Sequence, residues 1–133
     1  LYDDGALALR HELAPRRHTQ LVLPWAEQLL ASAGLRKSQL DAIAVGRGPG
    51  AFTGVRLGIA IAQGLALALD RPVLPVSTLA ALAMQGEGGQ ILAAIDARMG
   101  EVYLGRFVRD AEGLVSPAGD ELLCPPTDAQ RPP

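Results

Sequence analysis

Residues 42–69 read AIAVGRGPGAFTGVRLGIAIAQGLALAL, and this stretch decides the fold class. A short apolar run, Ala42 to Val45, leads into a glycine-rich loop and then into a longer apolar stretch from about Thr53 to Leu69. The short run is typical of a buried strand, and the length of the second stretch favours a helix. A strand, a glycine loop and a helix in this order indicate an α/β protein.

The residues before this stretch predict a hairpin and a helix. Asp3-Asp4-Gly5 is a tight-turn signal that joins antiparallel strands, and Ala6 to Leu13 alternates as a strand does. The segment from His18 to Ala33, closed by Gly34, predicts a helix with Pro24 in its first turn. Because the strand before the turn is nearly absent and Leu1 is not Met, we expect an opening strand to be missing.

The residues that follow continue the alternation of strands and helices. Val73 to Val76 predicts a strand, and Ser77 is a good N-cap for a short helix through Met84. Beyond a flexible joint, the ranges 90–97 and 101–108 predict two strands linked by a turn at Met99-Gly100, and 110–113 predicts a further turn. We therefore predict an N-terminal unit over 1–85, the beginning of a second unit over 86–124, and a linker or tail over 125–133.

Composition excludes several classes of protein. The 133 residues are 49% hydrophobic and 20% charged, which is typical of a folded globular chain. A net charge of −2 provides no general basic field for nucleic acid, so any RNA contact would have to be local or supplied by a partner. The single cysteine, Cys124, has no partner for a disulfide and favours a cytoplasmic compartment. We expect neither secretion nor membrane insertion.

The glycine loop has two interpretations. Its backbone N–H groups and the helix end could hold an anion, with Thr53 as cap and Arg56 one turn further along. Alternatively, the glycines turn the chain sharply and let the helix pack close to the sheet. The loop lacks the Gly-Lys-Ser/Thr ending of a P-loop. The candidate anion-binding residues are Gly48, Gly50, Thr53, Gly54 and Arg56.

The helix after the loop is apolar on nearly every side, so one buried face is not enough to hide it. Small residues four positions apart form a stripe that another helix could approach closely. An exposed stripe of this kind favours a partner surface, whereas the first helix could instead bury it within the same domain. The predicted partner-binding residues are Leu21, Trp25, Leu29, Gly54, Gly58, Ile61, Ala62, Leu65 and Ala66.

Few residues point to catalysis or metal binding. Asp96, Arg98, Glu101 and Tyr103 cluster around a predicted hairpin turn, where structural pairing is the expected role. His11 and His18 have no neighbouring ligand at metal spacing. Neither a Ser-His-Asp pattern nor a His-Glu-x-x-His motif is present in the sequence, so we predict no catalytic residues and no metal site.

Three segments resemble the TsaB (YeaZ) family. They are Gly46-Arg-Gly-Pro-Gly-Ala-Phe-Thr-Gly-Val-Arg-Leu-Gly58, the strand and helix over 72–82, and Asp96-Ala-Arg-Met-Gly-Glu-Val-Tyr103. The resemblance covers most of residues 1–110. It implies an actin-like ATPase fold of the ribonuclease H-like class, with a mixed sheet, packed helices and the start of a second similar subdomain.

The resemblance also implies a function. The protein would be a non-catalytic scaffold that dimerises with its paralogue TsaD, alongside the ATPase TsaE, for threonylcarbamoylation of adenosine 37 in tRNAs that read codons beginning with A. In the family, the first two helices form the partner surface, and a homodimer could use the same helices. This chain alone would hold no cofactor, although ATP or ADP could bind in the assembled complex, and contact with tRNA would be indirect. The alternatives are an actin-like phosphotransferase or ATPase and, more weakly, a glycoprotease-like hydrolase.

Overall fold

The computed structural model describes residues 1–13 and 17–129. Its three α-helices are α1 (His18–Ser32), α2 (Phe52–Leu69) and α3 (Thr78–Ala83), and two short 3-10 helices span Lys37–Gln39 and Pro126–Asp128. Its eight strands are β1 (Tyr2–Asp3), β2 (Ala6–Leu7), β3 (Ile43–Gly48), β4 (Val73–Ser77), β5 (Gln90–Arg98), β6 (Glu101–Arg109), β7 (Val115–Pro117) and β8 (Leu122–Cys124). The order of strands and helices predicted from the sequence is confirmed.

The first sheet is a parallel pair made by β3 and β4. The pairing runs from Ile43 opposite Val73 to Gly48 opposite Ser77, so both strands end at the same edge. Parallel neighbours require a crossover, and α2 supplies it. The helix packs on one face of the sheet, where Gly58 lies beside Val45.

The second sheet is antiparallel and is organised around β6. The β5–β6 hairpin pairs Ile91 with Phe107, and its turn places Met99 and Gly100 at positive φ. Both β7 and β8 pair with β6 at different points along its length. The predicted turn at Met99-Gly100 and the two predicted strands on either side of it are confirmed.

A hydrophobic core cluster lies between α3 and the second sheet. Leu79 and Ala83 of α3 pack with Ile91, Ala93 and Phe107 of the hairpin. These residues stand on both sides of the boundary predicted near residue 86, because α3 uses the second sheet as its core. The division into units over 1–85 and 86–124 stays a prediction.

Both ends of α3 have hydrogen-bond partners. The Ser77 hydroxyl accepts from the backbone N–H groups of Leu79 and Ala80, which confirms the predicted N-cap. At the other end, the Arg109 guanidinium donates to the carbonyls of Ala83 and Gly86. The helix is therefore tied to the end of β6 as well as to its core.

Two predictions in the N-terminal segment are wrong. The strand expected over Ala6–Leu13 ends at Leu7, because β1 and β2 pair only with each other among the described strands. The helix begins at His18, so Pro24 lies inside α1 and not in its first turn. The lost hydrogen bond is tolerated because its acceptor belongs to Gln20, on the exposed surface where water can replace the donor.

An ion pair joins α1 to the short 3-10 helix Lys37–Gln39. The Lys37 ammonium donates to the Glu27 carboxylate at 2.7 Å, and this hydrogen bond and charge lower the pKa of Glu27. Because the pKa of Glu27 is lower in the folded protein, the ion pair stabilises the fold at pH values above the ordinary carboxyl pKa. This stabilisation is lost as the pH falls through the folded-state pKa.

In an NMR titration, Lys37→Ala should return the pKa of Glu27 to its ordinary range, whereas Lys37→Arg should keep it low. An unchanged pKa in Lys37→Ala would contradict the assignment.

Candidate functional site

The loop from β3 to α2 brings its glycines against the first turns of the helix. Gly48 is buried, with φ of +95°, and a Cβ built there would lie 3.5 Å from a Val55 methyl group. A Cβ at Gly50 would lie 3.4 Å from the same side chain. The positive φ of Gly48 supports the interpretation that glycine lets the chain turn sharply here, and the distances to Val55 are those of ordinary van der Waals contact.

The other predicted anion ligands do not converge on this loop. Arg56 donates to the carbonyl of Phe52 at 3.3 Å, and its guanidinium carbon lies 3.4 Å from the centre of the Phe52 ring. Thr53 is not the cap, because the helix begins at Phe52 and Ala51 holds the N-cap position. Gly54 is exposed on the first turn. The anion site stays a prediction that this arrangement does not favour.

A polar pocket lies beside the loop, at the ends of β3 and β4. The Arg47 guanidinium donates to both carboxylate oxygens of Glu121, at 3.0 and 3.1 Å. The Ser77 hydroxyl donates to the same carboxylate. The pocket has a volume of about 310 Å³ and is lined by Arg47, Gly48, Pro49, Leu79, Tyr103, Glu121, Leu122 and Leu123.

The chemistry of this pocket does not fit a nucleotide phosphate. Its cationic side chain, Arg47, is already paired with a carboxylate, and a phosphate would meet the negative charge of Glu121. Sequence reasoning missed Glu121, which stands 74 positions from its partner in a segment with no motif. These residues are therefore not suited to hold the phosphates of ATP or ADP.

A nearly apolar groove runs between α1, β3 and α2. It has a volume of about 390 Å³ and is lined by Val22, Ile43, Ala44, Val45, Gly54, Leu57, Gly58, Ile61, Ala62 and Leu65. Five of the predicted partner-binding residues line this groove, on the side of α2 that faces β3. Ala62 and Ala66 are only 4% and 5% exposed, so the chain itself covers their side chains.

Helix α1 contributes less to this groove than expected. Leu21, Trp25 and Leu29 are half-buried, and Val22 is the α1 residue in the groove lining. In the described part of the chain, α1 therefore does not cover the whole stripe of small residues on α2. The stripe instead faces β3, with Gly58 against Val45.

The opposite side of α2 is open. Leu67 is 86% exposed, and the same side carries a second series of small residues at four-residue spacing. By length and composition α2 is also apolar enough to cross a bilayer, a test that core helices of globular proteins pass as well. We call the exposed set the open face of α2, and it consists of Ala60, Gln63, Gly64, Leu67 and Ala68.

The remaining candidate residues have structural roles or no described partner. Asp96 accepts from the backbone N–H of Arg98 at 2.7 Å and from its guanidinium at 3.3 Å, so the turn holds an exposed ion pair. His11 is exposed, and the side chain of His18 lies outside the described part of the chain. Within residues 1–13 and 17–129, no three His, Cys, Asp or Glu side chains are grouped to hold a metal.

Known proteins resemble this chain along most of its length. Residues 11–130 match the sequence model of the family described as TsaD, tRNA N6-adenosine threonylcarbamoyltransferase. The tRNA threonylcarbamoyladenosine biosynthesis protein TsaB of Escherichia coli is 48% identical over 118 residues, which are 86% of this chain and 51% of that protein. The TsaB of Haemophilus influenzae is 51% identical over 104 residues, 75% of this chain and 44% of that protein.

A solved structure agrees with these matches. YeaZ from Pseudomonas aeruginosa superposes with a TM-score of 0.89 at 47% identity, covering 98% of this chain and 63% of that chain. The chain spans about half the length of the curated relatives it matches.

Proposed function

Because the chain belongs to the TsaB (YeaZ) family and has its actin-like fold, we propose that it is part of a scaffold subunit for tRNA threonylcarbamoyladenosine biosynthesis. The family and the fold class predicted from the sequence are confirmed. In the proposed role, the subunit binds TsaD, and the pair modifies adenosine 37 of tRNAs that read codons beginning with A. The chain itself supplies a binding surface and not the reacting groups.

The observation that carries this proposal is the open face of α2. Leu67 of this apolar helix is almost fully exposed, and covering it with a partner surface is favourable because apolar surface is removed from water. Ala60, Gly64 and Ala68 would let a second helix backbone come close. These residues replace Ala62 and Ala66 as the centre of the proposed surface, since the latter two are buried against the chain's own sheet.

The finer features of the assembly belong to the same proposal. TsaE would join the larger complex, and any ATP or ADP would bind in that complex and not in the Glu121 pocket. A homodimer through the same face would compete with TsaD, because both need α2. The proposed location is the cytoplasm, where tRNA and these partners meet.

Leu67→Glu should abolish pairing with TsaD while leaving the fold intact. The side chain is exposed, so a carboxylate there is solvated in the free protein, but it would be buried without a partner in the complex. We expect at least a hundredfold weaker binding, equivalent to about 3 kcal/mol. Calorimetric titration of the whole protein with TsaD gives the affinity, and thermal unfolding checks the fold.

A matched control is Met99→Glu, which introduces the same charge at another highly exposed apolar residue, on the β5–β6 turn. It should bind TsaD as the unaltered protein does. If Leu67→Glu binds with unchanged affinity, the open face is not the partner surface. If both variants lose binding, the added negative charge explains the loss wherever it is placed, and the open face is again not shown to be the partner surface; the proposal then fails.

A further inference from the structure

The Glu121 carboxylate stands where parallel α/β sheets usually hold a ligand. β3 and β4 are parallel and end together at Gly48 and Ser77, which are paired across the sheet. Ligands of such sheets bind at the carboxyl ends of the strands, where the following loops diverge. In this chain, Glu121 reaches that edge and bonds to Arg47 of β3 and Ser77 of β4.

The geometry of the contact is that of a bound carboxylate. Two parallel N–H···O bonds from a guanidinium are the strongest arrangement that arginine offers a carboxylate. The Glu121 side chain is 24% exposed and the Arg47 side chain is 48% exposed, so water screens the pair only in part. Ser77 is buried, which holds its hydroxyl in place as both helix cap and donor.

Glu121 is attached to a different sheet from the residues it binds. It immediately precedes β8, in which Leu122 and Cys124 pair with Leu104 and Val102 of β6. Arg47 lies near the end of β3, just before the loop that leads into α2. The contact therefore ties the second sheet to the start of the helix that carries the open face.

We propose that Glu121 is an internal ligand that latches the second sheet onto the glycine loop and so holds the first turn of α2. The carboxylate occupies the strand-end pocket in place of an external anion. When the latch opens, the loop and the start of α2 become mobile while the core between α3 and the hairpin stays closed. This proposal does not depend on the identity of the partner of α2.

Hydrogen exchange of the backbone amides in the whole protein tests the latch. Glu121→Gln keeps the size of the side chain, and Arg47→Gln replaces the guanidinium by a shorter neutral amide, so each variant removes the ion pair. Each should speed exchange of the amides over 46–54 by about two- to fivefold, the effect of losing one half-exposed pair. The double variant should exchange no faster than the faster single variant, because both changes break the same contact.

Arg98→Gln, which breaks the exposed Asp96–Arg98 pair, is the matched control and should leave exchange over 46–54 unchanged. Amides of β5 and β6 should keep their protection in every variant, which shows that the fold is retained. Unchanged exchange in Glu121→Gln overturns the proposal. The proposal is also overturned if the double variant speeds exchange by the product of the two single factors, because the two side chains then act separately.

Discussion

Leu79→Ala should lower the free energy of unfolding by about 3 to 5 kcal/mol, the range measured for fully buried leucines whose cavity cannot collapse. Leu79 has no exposed surface, and it packs against the hairpin that contains Ile91 and Phe107. Removing its isobutyl group leaves a void between α3 and the second sheet. Urea denaturation monitored by circular dichroism measures the change.

Leu67→Ala is the control for this variant, because the same atoms are removed from a residue that is 86% exposed. Its free energy of unfolding should change by less than about 0.5 kcal/mol, as for other surface positions. Equal losses in the two variants would mean that the cluster around Leu79 is not the main core of the chain. A small loss in both would carry the same meaning.

Gly48→Ala should destabilise the protein by about 1 to 3 kcal/mol, the cost of forcing a side chain into a backbone conformation that L residues avoid. The φ of Gly48 is +95°, whereas a Cβ there would make only ordinary van der Waals contact with Val55, so the backbone conformation sets the cost. The loop would have to shift to relieve this strain, and the first turn of α2 would shift with it. Thermal unfolding measures the loss, and amide exchange over 46–54 locates it.

Gly46→Ala provides the comparison, since it lies two residues earlier in β3 with open space around its Cβ position. We expect its free energy of unfolding to stay within about 0.5 kcal/mol of the unaltered protein. If Gly48→Ala is as stable as Gly46→Ala, the loop does not require glycine for its conformation, and the interpretation that Gly48 is needed for a sharp turn is wrong.

Local patterns in the sequence were sufficient for the elements of the α/β core. Ser77 could be assigned as a cap because its hydroxyl needs only the N–H groups of the next residues. The Met99-Gly100 turn followed from its neighbours in the same way. Both interactions are short in sequence, so the residues that decide them lie within a few positions of each other. Pro24 failed as a marker of the helix start because the carbonyl of Gln20, which loses its hydrogen bond, lies on the exposed surface where water can replace the donor.

The two faces of α2 could not be told apart from the sequence. Small residues recur every four positions in two series, one through Gly58 and Ala62 and the other through Ala60 and Gly64. A helix that is apolar on nearly all sides has no polar face to indicate which series meets the sheet. Only the position of β3, which is paired with β4, places Val45 against Gly58 and leaves Leu67 exposed.

The sequence by itself determined the strand, glycine loop and helix order, the Ser77 cap, the Met99-Gly100 turn and the family resemblance, because each depends on residues close together along the chain. The tertiary structure alone decided which face of α2 is open, that α3 has its core on the second sheet, and that Glu121 meets Arg47. These contacts join segments far apart in sequence, and no local pattern of polarity or spacing encodes which distant surfaces will pack together.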